Sequence, residues 1–99
     1  AVTGTAKKAP KSSAFRVVKS DAKTTTIEVT GTNFSGALSA TFGNLKASKT
    51  SLSNGKVTMT FASGKLVKGA QTLIITNGNG RTLELSKTIS IAKGVPSVK

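Results

Sequence analysis

The sequence predicts an all-β fold in which two sheets pack face to face over one thin core, preceded by a basic N-terminal arm. Three observations lead there. Apolar residues recur at every second position in short runs, most cleanly Val57, Met59 and Phe61 with Thr58 and Thr60 between them. That is the period of a strand with one buried face. Turn-forming pairs such as Asn54-Gly55 and Asn77-Gly78 punctuate the chain between those runs, where positive φ angles are easily adopted. Apolar residues make up only 36% of the 99 residues, against a globular average of about 45–50% that also counts glycine. Most outer faces must therefore be wet, as they are on two packed sheets.

Residues 1–13 (AVTGTAKKAPKSS) show no apolar alternation and carry Lys7, Lys8 and Lys11, with Pro10 fixing one φ angle. Small, polar and basic, they read as an arm rather than as core. The alternative is a disordered or processed terminus. A short edge strand is expected over 14–19, with Phe15 and Val17 on one face. Asp21 suits a turn over 20–23 because its carboxylate can accept hydrogen bonds from the backbone just ahead. The second strand, 24–30, points Ile27 and Val29 inward and Glu28 to the wet face. The corner Gly31-Thr32-Asn33 is too polar and too Gly-rich for a helix, and a third strand with Phe34, Leu38, Ala40 and Phe42 follows.

Gly43-Asn44 then reverses the chain into a short fourth strand over 45–50, with Leu45 and Ala47 inward. Asn54-Gly55 is the strongest hairpin signal, a type I′ pair leading directly into the fifth strand, 56–62. Residues 63–70 form a connection in which Leu66 plugs one end of the core. The apolar run 71–76 is a central strand, buried through Leu73 and Ile75. After a turn at 77–80, the last strand, 81–91, keeps Leu83, Leu85, Ile89 and Ile91 in one phase. Lys87 interrupts that apolar series, which calls for a bulge or a switch of sheets near 86–88. Residues 92–99 read as a tail.

Seven short strands separated by turns match an immunoglobulin-like β-sandwich over residues 14–91, with an up-and-down barrel as the competitor. The run Ile27-Glu28-Val29-Thr30-Gly31-Thr32-Asn33-Phe34, followed by Ala40-Thr41-Phe42-Gly43-Asn44, resembles the opening of an IPT/TIG-type immunoglobulin-like domain. Gly69-Ala70 and the Asn77 to Gly80 turn are similar to that family's later features. The opening strand lacks the family's usual Pro-Gly-rich turn, and the cysteines of its receptor versions are missing. The resemblance implies a fold and is nearly silent on activity.

Composition narrows the chemistry. Cysteine and histidine are both absent, which excludes thiolate catalysis, cysteine metal sites and the usual general base near neutral pH. The three acidic residues, Asp21, Glu28 and Glu84, are too scattered for a two-carboxylate hydrolase or a calcium loop. An intramolecular crosslink would require Lys87 beside Glu28 or Glu84. No apolar run approaches the roughly 18 residues of a membrane span. The chain is therefore expected to be no enzyme and to need no cofactor.

The net charge of +12, from fifteen Lys and Arg, attracts polyanions: nucleic acid, acidic polysaccharide, anionic lipid or an acidic protein surface. Only Arg16 and Arg81 carry the planar guanidinium fork that reads phosphates and bases. All four aromatics, Phe15, Phe34, Phe42 and Phe61, fall on inward positions, so none is left to stack on bases or sugar rings. Six basic residues precede Thr24, namely Lys7, Lys8, Lys11, Arg16, Lys19 and Lys23. These are the expected binding residues. The expected function is a structural or binding module of a surface assembly, such as a phage capsid decoration protein or a bacterial surface-layer or adhesin domain. Its partner would be a protein lattice or neighbouring copies of itself, met through the arm and strand edges at a virion or cell surface. The alternative is a polyanion-binding module for DNA or an acidic glycan.

Overall fold

A computed structural model describes residues 10–34, 36, 38–78 and 80–99. The described chain runs β1 (Lys11–Ser20), β2 (Thr24–Thr32), β3 (Ser39–Phe42), β4 (Leu45–Lys46), β5 (Lys49–Ser53), β6 (Lys56–Ala62), a 3₁₀ turn (Ser63–Lys65), β7 (Gly69–Thr76), β8 (Thr82–Ala92) and β9 (Val95–Val98). Two sheets result, one ordered β1-β2-β6-β5 and the other β4-β3-β7-β8-β9. All neighbouring strands are antiparallel. The molecule is all-β, a two-sheet sandwich.

Alternation does the work that the sequence implies. Ile27, Val29, Val57, Met59 and Phe61 from the first sheet meet Ala40, Phe42, Leu73, Ile75 and Ile89 from the second, all of them buried, with Leu66 closing one end. Each fully buried large side chain here stabilises the fold by about 1.5–3 kcal/mol relative to its exposed state. Phe42 and Phe61 meet edge to face across the gap between sheets, with ring centroids 5.9 Å apart. That geometry suits the ring quadrupoles. Asn54 (φ 52°) and Gly55 (φ 75°) both adopt the left-handed conformation, and Ser53 pairs with Lys56 across them, as a two-residue type I′ hairpin requires.

Several expectations need correction. β1 begins at Lys11, so Lys11, Ser12 and Ser13 belong to the sheet rather than to an arm; residues 1–9, with Lys7 and Lys8, lie outside the described residues. β2 continues through Gly31 to Thr32, whereas β3 starts only at Ser39. Gly31 has a steric reason to be glycine. A Cβ there would collide with the Lys11 carbonyl oxygen and reach within 2.8 Å of the Phe34 ring.

The expected fourth strand is two. Leu45–Lys46 pairs with β3 and Lys49–Ser53 with β6. Between them the chain changes sheets, the Ala47 N–H donating to Ala40 in one sheet and the Ser48 N–H to Thr60 in the other. Periodicity cannot register such a crossing, because the alternation of apolar residues survives it.

No bulge interrupts β8 near Lys87. The register from Gly69↔Ile89 to Thr76↔Thr82 is continuous. Lys87 keeps its inward phase at the rim, its ammonium 4.2 Å from the centroid of the Phe15 ring. A lysine can hold that position because its stem packs while its charge meets an aromatic face. The irregularities fall instead in β1, between Ser12 and Ala14 and between Val17 and Lys19. The expected tail over 92–99 forms a hairpin whose return strand, β9, pairs with β8. The 81–91 strand is consequently internal to its sheet rather than an edge.

Candidate binding surface

The outer face of the first sheet is built by the same alternation that fills the core. Residues out of phase with Ile27, Val29, Val57, Met59 and Phe61 must face away from it. Cross-strand pairing then assembles a row running Lys19, Thr26, Thr60, Lys49 over β1, β2, β6 and β5. Beside it lies Arg16, Glu28, Thr58, Ser51, and next Ala14, Thr30, Lys56, Ser53. Lys11, paired with Thr32, extends the face at one end of β1. Among the described residues this face carries Lys11, Arg16, Lys19, Lys49 and Lys56 against one carboxylate, Glu28.

Two ion pairs moderate that charge. Arg16 Nη2 lies 3.4 Å from Glu28 Oε1, and Lys19 Nζ lies 3.7 Å from Asp21 Oδ2. The second pair is on the surface, where such contacts contribute little and weaken with salt. Asp21 is held mainly by the backbone. Its Oδ1 accepts from the N–H of Lys23 at 2.8 Å and of Thr24 at 2.9 Å. These bonds, Thr24's first, keep its carboxyl below the ordinary aspartate value, because they favour the charged form.

Of the six basic residues singled out from the sequence, the structure places Lys11, Arg16 and Lys19 on β1 and Lys23 in the following turn. Sequence reading missed Lys49 and Lys56. They are 30 or more positions from Lys19 in the chain, and only the β2–β6 and β6–β5 registers bring them to its face. The outer face of the second sheet differs in charge. Thr41, Thr72, Thr82, Ser86 and Thr88 lie there with Ile74 near the middle, and the charges this face carries include Lys46, Glu84 and Lys99, the last opposite Thr88.

The structure assembles no catalytic constellation from the candidates. Glu28 and Glu84 lie on the outer faces of opposite sheets, and Lys87 lies between the sheets against Phe15. Neither the carboxylate pair nor the crosslinking trio is brought together. Among the described residues no group of three or more metal-ligating side chains converges, and no helix is long and apolar enough to cross a membrane. Buried Asn77 donates from Nδ2 to the Asn33 carbonyl at 2.8 Å, and a second buried polar feature is a hydroxyl chain. Thr25 Oγ1 is 2.7 Å from Ser63 Oγ and 3.1 Å from Ser20 Oγ, and Ser20 in turn donates to the Pro96 carbonyl. With no adjacent base these hydroxyls hold elements together rather than react. No family model matches the sequence, and no curated protein or solved structure matches it either.

Proposed function

We propose that the chain is a non-enzymatic, immunoglobulin-like module of the IPT/TIG type that builds or decorates a surface assembly. It docks through its basic N-terminal residues onto an acidic protein lattice or onto neighbouring copies of itself, at a virion or cell surface. One observation carries this reading. The core consumes Phe42 and Phe61 and half-buries Phe15 and Phe34, so hydroxyls and lysines are what the sheet faces offer a partner. Such a surface associates by charge and shape rather than by enclosing a substrate. The strand order supports the immunoglobulin-like type. β1-β2-β6-β5 opposite β4-β3-β7-β8 is the arrangement expected of that sandwich with a short extra strand beside β3, and β9 is an addition at its margin.

In this reading Lys7, Lys8 and Lys11 lead the contact, and Arg16, Lys19 and Lys23 continue it along β1. The test compares the full chain with the chain from Pro10 onward, which leaves β1 intact, on a surface coated with poly-L-glutamate. Removal of residues 1–9 is expected to lower retention severalfold at about 150 mM salt, where weak surface pairs are already screened. Equal retention would remove the N-terminal lysines from the mechanism.

A further inference from the structure

We propose that the outer face of the first sheet is a binding site for an acidic polysaccharide, a sulfated or uronate-bearing chain lying across the strands. The site shares Lys19 with the docking contact proposed above but does not need residues 1–9, which that proposal's test removes. Its central row presents Lys19, Thr26, Thr60 and Lys49 in that order. With strands about 4.8 Å apart, the two lysines stand roughly 14 Å from each other. Lys56 lies on the same face two residues along β6 from Thr58. The pattern is cations separated by uncharged hydroxyls that both donate and accept hydrogen bonds. A charged polysaccharide displays the complement, with anionic groups spaced along an extended backbone and sugar hydroxyls between them.

The same face argues against nucleic acid. Single strands are held by stacking their bases on aromatic rings, and no aromatic side chain among the described residues lies on this face. Sheet faces that read duplex DNA do so with guanidiniums, amides or apolar wedges inserted into a groove, and this face offers lysines and hydroxyls instead. The one guanidinium present, Arg16, is engaged by Glu28. Aromatic platforms serve to hold the apolar faces of neutral sugars, and a glycan that carries its own anions is held by those anions instead. The second sheet provides an internal control, since its outer face is also rich in hydroxyls but carries fewer cations.

The experiment measures binding of the full chain to heparin and to duplex DNA of matched charge, at about 150 mM salt. One variant combines Lys19→Gln, Lys49→Gln and Lys56→Gln. Its control combines Lys46→Gln, Lys68→Gln and Lys99→Gln, which removes the same charge elsewhere. All six lysines are exposed, so both variants keep the fold. The first variant is expected to lose about tenfold or more in heparin affinity, as for the loss of several ion contacts to a polyanion, and the control to lose much less. Equal losses in the two variants would reduce the effect to net charge and overturn the site. Tighter binding of duplex DNA than of heparin would overturn the choice of ligand. Neither outcome bears on the poly-glutamate comparison, so the two proposals fail separately.

Discussion

Thr25 shows how much one polar side chain can depend on its surroundings. It is fully buried on β2, yet its hydroxyl is satisfied by Ser63 and Ser20, which ties the 3₁₀ turn and the end of β1 to the second strand. Replacing it with valine keeps the shape and leaves the nearly buried Ser63 hydroxyl without that partner. Thr25→Val is expected to cost about 1–3 kcal/mol. The double variant Thr25→Val/Ser63→Ala should cost less than the two single changes added together, since both partners are then removed. Urea denaturation of the four chains checks this, and strictly additive costs would show that the two hydroxyls act independently. In sequence Thr25 reads as one more strand threonine. Its importance comes from Ser63, 38 positions away.

Among the elements, β9 was the least legible and has a clear physical role. Its residues Val95–Val98 contain a proline, and proline argues against a strand unless that strand is an edge. An edge is what the fold provides. Thr88 and Lys99 exchange both backbone hydrogen bonds, so by antiparallel alternation Pro96 occupies a position whose nitrogen faces away from β8. The position is fully buried, so the missing N–H leaves no donor to satisfy there, and Ser20 from the end of β1 occupies the Pro96 carbonyl. Both features fit this edge position to the end of β1 that covers it. Pro96→Ala removes buried ring atoms and places a new N–H at this covered position, so it should lower stability by about 1–3 kcal/mol, read as a reduced urea midpoint. An unchanged midpoint would show that the buried ring contributes nothing to this contact. β1, by contrast, protects its own edge with two bulges, which further increase local twist.

For the whole molecule, charge sets how stability responds to pH. Histidine, cysteine and tyrosine are all absent, so the sequence holds no side-chain type that ordinarily titrates between roughly pH 6 and 9. Urea midpoints should be nearly constant over that interval. Acid acts differently. Folding lowers the Asp21 value, so its contribution is fully present above the unfolded value and is lost as pH falls through the folded one. The stability difference between the wild type and Asp21→Ala should accordingly be present at neutral pH and shrink in strong acid. A difference that stays constant down to pH 2 would mean that Asp21 acts through something other than its charge.

The all-β class, the inward phase of β2, β6 and β7, the Asn54-Gly55 hairpin and the burial of Leu66 were determined by the sequence itself. Each depends on residues within one strand or one turn, and local alternation and turn stereochemistry act at that range. Tertiary structure alone decided the crossing at Ala47-Ser48, the β1 bulges, the inward placement of Lys87 over Phe15, and the union of Lys19, Lys49 and Lys56 on one face. Those features arise from pairing between strands far apart in the chain, and a side chain's partner across a sheet leaves no mark on its own sequence neighbours.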